Sequence, residues 1–176
     1  LLQSFSMIDR KHIGKTLGSH IVTIRTDNLR RFARATGQNN PLYLEEGYAR
    51  AMGHPALPVP PTYLFCLDFM QADPYAWLFD MGVNQHDLLH AGQYFLYHSP
   101  LYAGENVKIS SRIADIYDKT GRKSGTLTFI IKETLVTTTT DTRDRLRLTS
   151  RGKIAEMRST FAVRHTPTAA REQSHA

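Results

Sequence analysis

From Gln93 onward apolar residues recur at every second position, and no other feature of the chain restricts its fold so strongly. Gln93 to His98, Asn106 to Tyr117, Thr126 to Thr138 and Lys153 to Arg164 read as strands that turn one face to a core and the other to water. Between the second and third of these, Asp118 to Gly125 supplies the Asp and Gly chemistry of a hairpin connection. Thr139 to Gly152, with six charged residues, reads as a longer, mobile hairpin tip. An antiparallel meander of this length has an apolar face that something must cover.

The cover has to come from the preceding half. His20 to Arg25 alternates as a first strand. Asp27 or Asn28 can then cap a helix whose Leu29, Phe32 and Ala33 share one face and which Gly37 can end. Leu44 to Met52 predicts a short helix with Leu44, Tyr48, Ala51 and Met52 on one side, stopped by Gly53 and Pro55. Pro58, Pro60 and Pro61 stiffen the next loop. Tyr63 to Met70 follows, apolar on nearly every side, and so predicts a buried central helix. A second short segment begins at Pro74 and runs through Trp77 and Phe79 to Gly82. The fold class expected is α+β, an antiparallel sheet wrapped around a central apolar helix.

At 176 residues one core is the default, so a single domain is expected over 7–165, with 1–6 as a leader, tag remnant or upstream misassignment and 166–176 as a frayed tail. No apolar run approaches a membrane span, and no basic segment followed by a long apolar one opens the chain, so a cytoplasmic address is expected. Cys66, the single cysteine, cannot form an internal disulfide and sits where a thiol acts as a small hydrophobe. A net charge of +6 invites a nucleic-acid reading, but the basic residues are dispersed and no recognition-helix or zinc pattern accompanies them. A smaller anionic partner, such as coenzyme A or an acidic carrier protein, fits the charge as well. The eight histidines show no paired ligand spacing, so neither a metal nor a cofactor is expected.

The candidate chemistry is concentrated in Gly37-Gln38-Asn39-Asn40-Pro41-Leu42-Tyr43, a polar turn that Pro41 stiffens ahead of a helix. It occurs together with Pro60-Pro61-Thr62-Tyr63-Leu64-Phe65, the strand entrance His90-Ala91-Gly92-Gln93, Ala114-Asp115-Ile116-Tyr117 and Arg158-Ser159-Thr160. In these segments and their order the chain resembles the MaoC-like dehydratases, in the N-terminal MaoC or fatty-acid-synthase-type dehydratase branch. The resemblance implies a hot-dog fold that pairs sheet edge to sheet edge as a homodimer or heterodimer. It also implies an acyl-thioester tunnel and reversible, typically (R)-specific hydration of a trans-2-enoyl thioester carried on coenzyme A or acyl carrier protein.

Active members of that family carry a motif resembling Gly-Asp-x-Asn-Pro-Leu-His, whose carboxylate and imidazole hold and deprotonate water. Gly37, Asn40, Pro41 and Leu42 match it, but Gln38 stands at the Asp position and Tyr43 at the His position. An amide orients water without accepting its proton, and a phenol is a poor base at neutral pH. The resemblance therefore points to the substrate-binding half of a two-part enzyme, with Gln38, Asn40, Tyr43, Tyr63 and Gln93 as binding candidates and a MaoC-like partner supplying the acid–base pair. Asp87 and His90, three residues apart, are the candidates for residual acid–base chemistry in this chain. Gln93 and His98 should face opposite sides of a regular strand. A non-catalytic acyl-thioester binding protein and a hot-dog thioesterase using Asp68 are the competing readings.

Overall fold

The computed structural model describes residues 8–121, 125–139 and 152–165. The expected leader, the hairpin tip at 140–151 and the tail at 166–176 lie outside the described residues, as does the centre of the first hairpin connection at 122–124.

Five strands form one antiparallel sheet: β1 (Thr16–Thr23), β2 (Leu88–Tyr97), β3 (Asn106–Gly121), β4 (Gly125–Thr138) and β5 (Lys153–Arg164). Their spatial order is β1-β3-β4-β5-β2. This order explains the architecture. Because β1 and β2 occupy opposite edges, the chain between them must cross the width of the sheet, and it does so carrying the helices over one face. Those are α1 (Thr26–Ala35), α2 (Glu46–Ala51), α3 (Leu64–Leu67) and α4 (Ala76–Phe79). Among the described residues, no helix is long and apolar enough to cross a membrane.

Helix α1 buries Leu29 and Ala33 fully, as their spacing predicts. Its N-cap is Arg25 rather than Asp27 or Asn28, and Asp27 lies in the first turn, paired with the Arg25 guanidinium at 3.2 Å. At its end Gly37 takes a φ of 69°, letting Gln38 N–H reach the Ala33 carbonyl and Gly37 N–H that of Arg34. This paired closure needs a left-handed residue, the role in which glycine is least strained.

Helix α2 departs from its predicted face. Ala49 is fully buried, while Tyr48 and Met52 are exposed, because a small side chain lets this short helix lie close against the core. The central helix is also shorter than its apolar run predicts. A 3-10 turn over Pro61–Tyr63 leads into α3, after which Phe69 N–H and Met70 N–H reach back only three residues, to Cys66 and Leu67. The apolar composition is spent on packing rather than on helical length: Tyr63, Leu64 and Leu67 are buried against Val107, Ile109, Val136, Ile154 and Met157 of the sheet.

A second apolar cluster lies toward the other end of the sheet, where Leu78 and Val83 pack with Ile113, Ile116, Ile130, Phe161 and Val163. Each long strand passes from one cluster to the other, and between them each places polar residues on the inner face. Ile109 and Ile113 of β3 flank Ser111, Val136 and Ile130 of β4 flank Thr134 and Lys132, and Met157 and Phe161 of β5 flank Ser159. The strand register sets Ser111 beside Thr134, Lys132 beside Ser159 and Ser159 beside Gln93. A polar seam thus crosses four strands beneath the end of α3.

Candidate functional site

The turn after α1 is built to hold its own shape. Gln38 Oε1 accepts from Asn40 N–H at 3.0 Å, and Asn40 Oδ1 accepts from Leu42 N–H at 2.9 Å, capping the 3-10 turn Pro41–Tyr43. Arg30 Nε donates to the Leu44 carbonyl at 2.8 Å and ties the turn to α1. Two of the binding candidates, Gln38 and Asn40, therefore spend an oxygen on local structure. Tyr43 faces a cavity of about 240 Å³. Its walls are mainly apolar, with Pro58, Val59, Leu64, Leu101 and Ile154, and Tyr97 of β2 closes one side. The proline loop is fixed there by Val59 N–H donating to the Leu101 carbonyl and Ala103 N–H to that of Leu57.

Tyr97, which the motif does not single out, donates its hydroxyl to the Pro61 carbonyl. Burial pushes its pKa up to about 12, so near neutral pH it is a fixed donor. Tyr63 lies in the core, edge-on to Phe32 at 5.3 Å and outside the cavity wall. Burial raises its pKa as well. The Cys66 thiol is likewise pushed up by burial, away from the thiolate form that reactivity requires.

Gln93 and His90 come together through an irregularity that alternation alone does not reveal. The β2–β5 register slips between His90 and Gly92, so Ala91 is an extra residue and two side chains three apart share one face. His90 Nε2 lies 3.2 Å from Gln93 Oε1, which also accepts from Ser159 Oγ at 2.7 Å. The His90 ring packs 5.1 Å from Phe65 and 5.7 Å from Phe161. Asp87 ends a 3-10 turn immediately before β2. His98 points the other way, to Glu156 Oε1 at 2.8 Å, so Gln93 and His98 do lie on opposite faces.

Asp68, the thioesterase candidate, is 3% exposed and its carboxylate is engaged by Lys132 at 3.1 Å and by Thr134 Oγ1 at 3.4 Å. Sequence reading missed Lys132 altogether. The available signal was a lysine on the inward phase of an otherwise apolar strand, with Ile130 and Val136 in the same phase. Among the described residues, no group of three or more His, Cys, Asp or Glu could hold a metal ion.

The geometry is thus a sheet laid around a short apolar helix, with a cavity beside a turn that lacks an acid–base pair. The family model for the FAS1-like, dehydratase domain region matches residues 11–143. The chain belongs to this family. A UPF0336 protein of Streptomyces coelicolor is 33% identical over 95 residues, a stretch covering 54% of this chain and 63% of that relative. The solved ChsH1–ChsH2 complex of Mycobacterium tuberculosis aligns with 86% of this chain and 85% of its own at a TM-score of 0.66 and 19% identity. A C-terminally truncated HadBC (3R-hydroxyacyl-ACP dehydratase) complex of the same organism covers 86% and 96%, at a TM-score of 0.64 and 19% identity. These similarities place the FAS1-like dehydratase region of this chain in the hot-dog fold shared with the MaoC-like dehydratases.

Proposed function

We propose that this protein is the substrate-binding half of an (R)-specific enoyl-thioester hydratase, or 3-hydroxyacyl-thioester dehydratase, completed by a MaoC-like subunit that carries the Asp and His. The observation that carries this reading is the pairing of an apolar cavity at Tyr43 with a turn whose Gln38 can accept no proton. Acid–base hydration needs a group that changes charge near neutral pH, and the turn offers an amide committed to Asn40 and a phenol. An acyl thioester on coenzyme A or acyl carrier protein would lay its chain along Val59, Leu64, Leu101 and Ile154.

Partner docking finds support in β2. It is an edge strand, and it exposes Leu89, Tyr94 and Leu96, a surface that edge pairing with a second hot-dog subunit would cover. The thioesterase reading loses ground, because the Asp68 carboxylate is buried and neutralised by Lys132.

The deciding experiment is hydration of crotonyl-CoA and a longer trans-2-enoyl-CoA by the purified protein alone and mixed with a MaoC-like protein bearing the intact motif. Activity in the mixture only is expected. Turnover by the protein alone would overturn the proposal and direct mutagenesis to His90 and Asp87. Binding of acyl-CoA without turnover in either assay would make the chain a non-catalytic acyl-thioester carrier.

A further inference from the structure

His90 and Gln93 form a pair whose chemistry the turn at 37–43 does not use. His90 Nε2 lies 3.2 Å from Gln93 Oε1, and an amide oxygen only accepts, so this ring nitrogen carries the proton. Gln93 is held in that orientation from behind, where Ser159 Oγ donates to the same oxygen at 2.7 Å. The arrangement has a cost, since Gln93 Nε2 is buried with no hydrogen-bond partner among the described residues. Phe65 and Phe161 fix the ring, with centroids 5.1 and 5.7 Å away. In the neutral ring Nδ1 is then an acceptor, on an exposed residue, without a partner of its own among the described residues.

A residue prepared in this way cannot serve the cavity of its own chain. Tyr43 and Tyr97 line that cavity, and His90 stands near the start of β2 whereas Tyr97 ends it, about 20 Å apart at roughly 3.3 Å per residue. Edge pairing changes its neighbours. A two-fold axis normal to the sheet extends one sheet across both hot-dog subunits and runs their two β2 strands antiparallel. The start of β2 in this chain then lies against the end of β2 in the partner, where a shared fold puts the partner's motif turn with its Asp and His. His90 is on the matching side of the sheet, because it faces Phe65 of α3, and the neighbouring Leu64 lines the cavity at Tyr43.

We infer that His90, positioned by Gln93, is a substrate-contact residue in the partner's catalytic site, where its Nδ1 accepts from an amide N–H of the thioester's pantetheine arm. The inference rests on the two-part reading proposed above. The group contacted follows from what the substrate can donate. An enoyl thioester presents only an acceptor oxygen, and the attacking water is held by the partner's Asp and His. The amides of the arm, common to coenzyme A and acyl carrier protein, are the donors left.

The test is crotonyl-CoA hydration by this protein mixed with a MaoC-like subunit bearing the intact motif, with co-elution on size exclusion checking that each variant still pairs. H90L is expected to lower kcat/KM about fivefold to tenfold, mainly through KM, the factor that one hydrogen bond contributes. Q93L should do the same, and H90L/Q93L no more than either, because the two side chains act as one unit. H90N, whose amide can present an acceptor near the Nδ1 position, should recover part of the loss. With S-ethyl thiocrotonate, which carries the reacting group but no amide, H90L and wild type should turn over alike. Unchanged kcat/KM in H90L, additive losses in the double variant, or an equal loss with S-ethyl thiocrotonate would each overturn the inference. So would loss of co-elution in both H90L and H90N, which would make His90 an interface residue alone. A wild-type mixture that hydrates nothing would instead bring down the two-part reading, and this inference with it.

Discussion

The turn from Gly37 to Tyr43 and the seam around Lys132 use polar residues in opposite ways. In the turn the contacts of Gly37, Gln38 and Asn40 close within a few residues: Gln38 to Asn40, Asn40 to Leu42, Gly37 to Arg34. Water can replace any of them. In the seam the contacts join residues far apart in sequence, Asp68 to Lys132 and Gln93 to Ser159, and water is largely excluded. A side chain removed from the turn should therefore cost little, whereas one removed from the seam leaves its partner stranded. Motif reading finds the first kind of site, since its residues are contiguous, and passes over the second.

The largest expected effect tests the seam. K132M strands the Asp68 carboxylate between two apolar clusters and should cost about 3–5 kcal/mol, whereas D68L/K132M should recover most of that loss. Urea denaturation of the three proteins separates the possibilities. A single variant as stable as wild type would mean that Asp68 is solvated, and the contrast with the turn would collapse. Next in size is G37A. At a φ of 69° an alanine is strained by roughly 1–2 kcal/mol even though nothing crowds its Cβ, so a visible loss of thermal stability is expected. N40A removes only the cap of a three-residue 3-10 turn and should cost about 1 kcal/mol or less. A penalty for N40A rivalling that of K132M would show that the turn is as tightly coupled to the core as the seam is.

The same contrast sets what the sequence disclosed. The meander was legible because alternation is local: Lys153–Arg164 is the strand its pattern predicts, and Asn106 and Thr138 bound their strands as expected. Gly37 and Gly82 end helices as glycine chemistry predicts. The central helix was overdrawn because apolar composition reports burial, and burial does not require eight helical residues when 3-10 turns pack as well. The His90–Gln93 pairing was hidden because a bulge leaves no mark in periodicity. The Asp68–Lys132 pair was hidden for a different reason. Its partners lie on different elements, and only the strand order brings them together.

The smallest expected effect concerns charge on the opposite, solvent-facing side of the sheet. There Glu133 on β4 bridges Arg158 on β5 at 2.8 Å and Arg112 on β3 at 2.7 Å, so it joins three strands as the seam does, but in water. The Arg158 guanidinium, and then that of Arg112, hold its carboxyl below the ordinary value of 4.5 despite partial burial, which acts the other way. A depressed native pKa means that the unfolded chain takes up its proton first as pH falls. The stabilisation is therefore fully present above about pH 4.5 and is lost as pH drops through the native value. Exposed ion pairs contribute little, so E133Q should cost about 1 kcal/mol or less at neutral pH and nothing once the carboxylate is protonated. Denaturation midpoints of wild type and E133Q should accordingly converge below pH 4.5, and added salt should narrow the gap at neutral pH. A gap that persists at low pH would assign Glu133 a packing role, and charge exposed to water would then no longer separate the outer face from the buried seam.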